Sequence, residues 1–388
     1  MIFMDTKRTE FDIGEILRSH GQEYECTHSM YSEQRKAFRA IASCRTSVLG
    51  GHKFKCTHCS YEEISYNSCR NNNCPKCQGI KRREWVGARI EELLPVPYFH
   101  LIFTISDFFN DLHYSHYKEL YSAIFSASSG ALLYFFKKRG GVPAITSIAH
   151  SWGQTMSIHP HVHMLVTGGC LSFDKKEWIR IGNNYLFDVK ALSAEFKKRF
   201  LKEISKRIPQ LVIPESVKDK DWVVFSKKPF AGTEVVVKYL GRYVNRSAIA
   251  NSRIKDVTGG KVTFEYKNYR RCDKNDIPAT GTMCLEADEF IRRFMQHIPP
   301  DNFRRIRFYG ITAGKDCKAK LQAARELTFL ENFTLQEPAT PVEAFETLIP
   351  HLCPQCKTGS MEIVDTLLPH GPPLIIFRNE IRKNNYAA

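Results

Sequence analysis

The chain has 388 residues, with 56 lysines and arginines against 41 acidic residues, a formal charge of +15. At 43% hydrophobic and 25% charged it can bury a sizeable core, which excludes wholesale disorder, and its length suits two or three domains. No stretch reaches the ~20 apolar residues a bilayer-spanning helix needs. The opening MIFMDTKRTEFD carries acids and lacks the apolar centre of a signal peptide, so neither a membrane nor a secreted protein is expected. The excess positive charge favours a polyanionic partner, nucleic acid first.

In chain order, apolar residues at helical spacing (Phe11, Ile13, Ile16, Leu17, then Ala37, Phe38, Ile41) predict helix over 10–42. Residues 44–79 form a Gly-, Cys- and Asn-rich block with no sustained period. A short basic helix is expected over 81–94, stopped before Pro95, then a buried strand at 98–105 and a helix at 114–138. Two strands follow at 146–152 and 157–168, and helical patterns return at 189–207 and 232–247. Alternation around Gly259-Gly260 within 255–269 signals a hairpin. A helix is expected at 287–297, entered through Glu286, Asp288 and Glu289, and a strand at 305–311. Beyond Pro338 the chain turns proline-rich and ends in a polar tail. The alternation of strands and helices argues for an α/β or α+β catalytic core with metal-bearing additions.

Five of the thirteen cysteines lie between Cys56 and Cys77. Cys56-x2-Cys59 and Cys74-x2-Cys77 are two knuckles, each presenting two thiolates, and together they predict one closed tetrahedral zinc site of structural type. Cys44, His52 and Cys69 are candidates for a second zinc that lacks an obvious fourth ligand. Cys353-x2-Cys356 is half a site, with His351, Cys317 and His370 as candidate partners. Arg70, Lys76, Lys81, Arg82 and Arg83 crowd the second half of the block and suit phosphate contacts. The simpler reading is a zinc staple that orders a loop-rich segment.

The segment Ser157-Ile-His159-Pro160-His161-Val162-His163-Met164-Leu165-Val166 carries the most chemistry. On a strand, residues two apart share a face. His161 and His163 therefore point together, with Val162, Met164 and Val166 behind them in the core. Paired imidazoles so held are ligands for a divalent cation with positions left for substrate. Gln154 is the expected third ligand and His159 its competitor. Further on, Tyr239 and Tyr243 stand at i and i+4, on one face of a helix, beside Lys238, Arg242 and Arg246. Rings that merely pack on a sheet would give the same pattern, but a phenol next to a cation-polarised phosphate is a nucleophile.

Taken in order, these features resemble the two-tyrosine HUH transposases of bacterial rolling-circle insertion sequences, relatives of Helitron and of rolling-circle replication initiators. NSCRNNNCPKCQ (67–78) resembles the family's zinc-binding amino-terminal domain, HPHVHMLVTGG (159–169) its HUH strand, and KYLGRYVNRSAIANSRI (238–254) its tyrosine segment. ADEFIRRF (287–294) and RIRFYG (305–310) extend the likeness weakly. The family commonly has His just before the second Cys-x2-Cys, where this chain has Asn73.

The resemblance implies an α+β fold: an RRM-like palm with an antiparallel sheet, the His pair on a central strand and the tyrosine helix across the metal. The implied division is a helical and zinc-binding domain at 1–94, a catalytic domain at 95–312 and a carboxy-terminal extension at 313–388. The implied chemistry is nicking and rejoining of single-stranded DNA through a 5′-phosphotyrosine on Tyr239 or Tyr243, with Mg2+ or Mn2+ on His161, His163 and Gln154 and with structural zinc elsewhere. Expected partners are transposon ends, target DNA and a host helicase, in the bacterial cytoplasm at the nucleoid. Arg304, Arg305 and Arg307 are expected to help track the outgoing strand. No phosphate-binding loop is present, since Gly314-Lys315-Asp316 lacks the upstream Gly and the following Ser or Thr. Two rivals are a zinc-dependent DNA-binding protein without chemistry and a zinc hydrolase; the second lacks a Glu between Gln154 and Asp174.

Overall fold

The computed structural model describes residues 10–79, 92–182, 186–230, 247–273, 278–330 and 352–369, together with Trp85, Gly87 and Arg89. The expected helices at 81–94 and 232–247 lie wholly or largely outside these residues. The amino end forms α1 (Ile13–Thr27) and α2 (Ser32–Ser43) rather than one continuous helical stretch. The chain breaks between them because His28 and Tyr31 are extended, and Gln34 reaches back to accept from the Tyr31 N–H at 3.2 Å. A side chain at Gly21 would put its Cβ 2.3 Å from the Phe38 ring, so glycine allows the two helices to close.

The cysteine block contains a hairpin, β1 (Gly51–Cys56) and β2 (Glu62–Tyr66). Next come β3 (Tyr98–Thr104), α3 (Tyr117–Lys138), β4 (Gly141–Val142), β5 (Ala144–Trp152) and β6 (Ile158–Thr167). Next come β7 (Gly169–Ser172), β8 (Trp178–Arg180), α4 (Val189–Arg207) and β9 (Val224–Phe230). Then β10 (Ile254–Thr258), β11 (Lys261–Cys272) and β12 (Pro278–Glu286) form a ribbon. The predicted turn joins the first two strands: Gly259 and Gly260 both have positive φ, as the tight hairpin turn requires. After it come α5 (Ala287–Met295), β13 (Ile306–Gly310), α6 (Cys317–Leu330) and β14 (Met361–Leu367).

The main sheet has the order β13-β5-β6-β3-β9, every neighbouring pair antiparallel, with the histidine strand β6 at its centre. One face carries Phe99, Leu101, Phe103, Ile145, Ala149, Val162, Met164 and Val166 onto α3 and α4, against Phe125, Phe136, Phe196 and Phe200. Each such aromatic removed from water contributes about 2–3 kcal/mol. The other face carries Tyr98, Ile148 and Leu165 at one end, under Leu321 and Ala324 of α6. His150, His161 and His163 lie on that same face further along the strands.

A second core joins α1 and α2 to α5 and the ribbon, through Ile13, Leu17, Phe38, Phe264, Phe290 and Phe294. Of the described residues in 313–388, α6 packs on the main sheet, and β14 pairs with β1 in the sheet β14-β1-β2. Among the described residues no helix is long and apolar enough to cross a membrane.

Candidate active site and metal centres

The pleat of β6 turns His161 and His163 to one side, and β5 lays His150 directly opposite His161 in register. Ring nitrogens of the three lie within 4.8 Å of one another, and all three residues are buried. His161 Nε2 and His163 Nε2 stand 3.1 Å apart. His161 Nδ1 is 2.6 Å from the His159 carbonyl oxygen, so Nδ1 carries the proton and donates it, leaving the Nε2 lone pair facing the cluster. His100, on β3, sets its Nε2 2.9 Å from His163 Nδ1 and fixes the orientation of that ring. Burial, with help from His159, pulls His161 down to about 4. Burial, with Lys227 and His161 adding to it, pulls His100 down to about 3. His161 and His100 are therefore neutral at physiological pH, the state that a metal ligand requires.

Gln154 is not part of this cluster. Its side-chain oxygen accepts from the Lys267 N–H at 3.4 Å and its carbonyl from Arg253 at 2.5 Å, so it belongs to the junction with the ribbon. His150, which local spacing could not reveal, stands beside the pair where Gln154 was expected. The signal was a histidine near the end of the preceding strand, readable only once the β5–β6 register is known. His159 supplies its carbonyl to the site through His161. Tyr239, Tyr243, Lys238, Arg242 and Arg246 lie outside the described residues, as do Arg82 and Arg83.

The cysteines form two four-thiol groups, and neither is the predicted set. Cys44, Cys69, Cys74 and Cys77 make one, and Cys56, Cys59, Cys353 and Cys356 the other. The hairpin explains the exchange. β2 returns the chain to the start of β1, where the Asn67 N–H donates to the Gly50 carbonyl, so Cys69 arrives beside Cys44. Cys56 and Cys59 sit at the far end of a six-residue strand, roughly 20 Å away at ~3.3 Å per residue. The two knuckles therefore cannot meet. His52 lies on β1 with Nδ1 3.5 Å from the Thr366 hydroxyl, apart from both groups.

In the first group the Sγ atoms of Cys44 and Cys77 are 3.5 Å apart and those of Cys69 and Cys77 3.6 Å. A zinc tetrahedron with bonds near 2.3 Å has edges of about 3.8 Å, whereas a disulfide would require about 2.05 Å. Thiol donation from Cys69 holds Cys44 below the usual thiol range, and hydrogen bonds from Cys44 and Cys69 do the same for Cys77. The donor set suits a thiophilic, tetrahedral cation.

The basic residues have varied fates. Arg70 is exposed at a left-handed backbone position, φ 54°. Lys76 instead pairs with Asp12 at 2.9 Å, tying the knuckle to the start of α1. Arg305, expected on a DNA track, donates to Asn73 Oδ1 at 2.7 Å and to the His297 carbonyl at 3.2 Å. Asn73, the departure from the family pattern, thus links the zinc group to the main sheet. Arg307 stacks over Phe125 at 4.1 Å, on the helix-covered face; only Arg304 of the three is exposed.

Two further buried histidines give a pH prediction. Burial pulls His113 down to about 4 and His297 to about 3; His113 bonds the Gln296 carbonyl at 2.9 Å, and His297 bonds Ser151 at 3.0 Å. Unfolded histidine titrates near 6.5. The folded state therefore binds fewer protons, and stability present above pH 6.5 is lost as pH falls toward 4 and then 3. Each group should cost about 2 kcal/mol at pH 5. Urea melts at pH 7, 6 and 5 should show a falling midpoint; a flat midpoint would refute the neutral, buried assignment.

Residues 144–320 match a family model described as "Putative transposase", and residues 16–105 match one described as "Transposase zinc-binding domain". The chain is 33% identical to "Putative transposase y4qJ" of Sinorhizobium fredii (strain NBRC 101917 / NGR234), across 93% of this chain and 97% of that protein. It is 28% identical to "Transposase for insertion sequence element IS801" of Pseudomonas savastanoi pv. phaseolicola, across 71% of this chain and 70% of that one. No solved structure matches. With a zinc-binding module ahead of a histidine-bearing antiparallel sheet and a relative aligned over nearly its whole length, the chain belongs to the two-tyrosine transposases of rolling-circle insertion sequences that carry the IS91-type zinc-binding domain.

Proposed function

We propose that this transposase nicks and rejoins single-stranded DNA on the histidine-bearing face of the main sheet, which serves as an RRM-like palm. The observation that carries the reading is the trio of buried imidazoles His150, His161 and His163, converging across two strands. A divalent cation held there would polarise the scissile phosphate and offset the charge that builds on it. Three nitrogen donors favour Mn2+ over Mg2+, which prefers oxygen. His100 keeps the His163 ring in its ligating orientation, and the His159 carbonyl does the same for His161.

Tyr239 or Tyr243 is the nucleophile. Its phenolate oxygen forms a bond to phosphorus as the bond to the 3′ oxygen breaks; the leaving oxygen takes up a proton. The products are a 5′-phosphotyrosine and a free 3′-OH. Attack by a 3′-OH on the phosphotyrosine reverses the step and rejoins DNA, so no nucleotide triphosphate is consumed. The second tyrosine permits a second transfer while the first end is still held. On either side of the tyrosine segment in sequence, Lys227 of β9 is in register with His100, and the Ser247 N–H donates to Gln78 of the zinc module at 2.9 Å. Arg70, Arg82, Arg83, Lys238, Arg242 and Arg246 would hold the DNA backbone.

The test is covalent capture. Wild-type protein with Mn2+ and a single-stranded oligonucleotide carrying an element end should give an SDS-resistant adduct, and Tyr239→Phe with Tyr243→Phe should give none. An adduct that persists in the double variant would sink the assignment of these nucleophiles.

A further inference from the structure

The second four-thiol group lies partly outside both family-matched segments, because Cys353 and Cys356 follow residue 320. We infer that Cys56, Cys59, Cys353 and Cys356 hold a second structural zinc, which clasps the carboxy-terminal segment onto the amino-terminal hairpin. The inference is independent of the nicking reaction.

Three observations support it. The Sγ atoms of Cys56 and Cys356 are 3.6 Å apart and those of Cys59 and Cys353 3.7 Å, close to the ~3.8 Å edge of a zinc–thiolate tetrahedron and far from a disulfide. Backbone N–H groups already point at the sulfurs: His58 and Cys59 donate to Cys56 Sγ at 3.3 and 3.4 Å, and Gly359 to Cys356 Sγ at 3.4 Å. Such donors stabilise thiolates over thiols, and one cysteine of each knuckle receives them. The turn is also built to fit the sulfur, since a Cβ at Gly359 would lie 2.6 Å from Cys56 Sγ.

The apolar contents of this corner are too few to hold it otherwise. Among the described residues, the cluster contains only Phe54, Met361 and Tyr61 beside the four cysteines. The partners are 294 residues apart in the pair Cys59 and Cys353, so loop closure opposes the contact. Pairing of β14 with β1 from Cys56↔Met361 to Gly51↔Leu367 supplies register, and Thr57 and Ser360 exchange further hydrogen bonds at 2.9 and 3.0 Å. A metal supplies the missing cross-link, as it does in small domains with little core. All-thiolate tetrahedra take zinc or iron, and two Cys-x2-Cys knuckles closing four thiolates are the usual ligand spacing of structural zinc.

The full-length protein, purified with Zn2+ present, should contain two zinc ions per chain by elemental analysis and native mass spectrometry. Cys353→Ser with Cys356→Ser should contain one. Alkylation mapped by mass spectrometry should find all eight cysteines of the two groups protected in the wild type. In the double variant Cys56 and Cys59 should become reactive, while Cys44, Cys69, Cys74 and Cys77 stay protected. That retained protection shows the variant is folded. As a milder second probe, Gly359→Val should also release Cys56 and Cys59. One zinc per chain in the wild type, ready alkylation of Cys353 and Cys356 before chelation, unchanged zinc in the double variant, or iron in place of zinc would each overturn the inference.

Discussion

Alanine at His161 and His163 together is expected to lower Mn2+-dependent nicking of single-stranded DNA by at least ~10³-fold, since a bound cation stabilises such a transition state by several kcal/mol. Both rings point away from the helix-covered core, whose strand residues Val162, Met164 and Val166 are untouched. The variant should keep its circular dichroism and zinc content. The single variants separate the two candidates for the third ligand. His150→Ala should weaken Mn2+ binding, with activity partly restored by raising the Mn2+ concentration. Gln154→Ala should leave Mn2+ affinity unchanged, because its side chain faces Lys267 instead. His100→Ala, which removes the partner of His163 Nδ1, should cost about 10- to 100-fold in metal affinity. Calorimetry with Mn2+ reads all three. Equal losses at Gln154 and His150, or full nicking by the double histidine variant, would move the metal elsewhere.

What could be read from the chain in advance was local. The i, i+2 rule put His161 and His163 on one face because that rule needs only a strand. The Gly259-Gly260 turn was visible because positive φ at two consecutive positions selects glycine. His150 escaped because its role depends on cross-strand register with His161, which is set by the 153–157 turn. The zinc sets were exchanged for the same reason: spacing finds knuckles but does not say which knuckles meet. That was decided by the β1–β2 hairpin, which the Cys- and Asn-rich composition hid, and by β14, some 300 residues away. β12 was missed because most of it is exposed, so its apolar alternation is faint. Arg305 shows the limit of charge counting, since a basic residue among others is half-buried and links to Asn73.

Cys74→Ser should be the most destabilising single substitution in the amino-terminal module. Cys44 and Cys74 are fully buried and Cys77 is 3% exposed, and all three lie in the core that also holds Ile13, Leu17, Phe38 and Phe290. Structural zinc contributes on the order of 10 kcal/mol to the domains it organises, comparable with the ~5–15 kcal/mol that stabilises a whole domain. A hydroxyl at one corner binds zinc poorly, and loss of the ion leaves the remaining thiols buried among apolar side chains. The expected result is one zinc fewer per chain, rapid hydrogen exchange in α1 and α2, and loss of DNA binding. Cys56, Cys59, Cys353 and Cys356 should remain protected from alkylation. The disturbance should also reach the histidines, because Asn73 precedes Cys74 and holds Arg305, whose carbonyl accepts from the Ala149 N–H at 2.9 Å beside His150. Weaker Mn2+ binding in Cys74→Ser, reproduced by Asn73→Ala with its zinc intact, would place that coupling in the Arg305 link. Unchanged Mn2+ binding in Asn73→Ala would confine the role of the zinc to its own module.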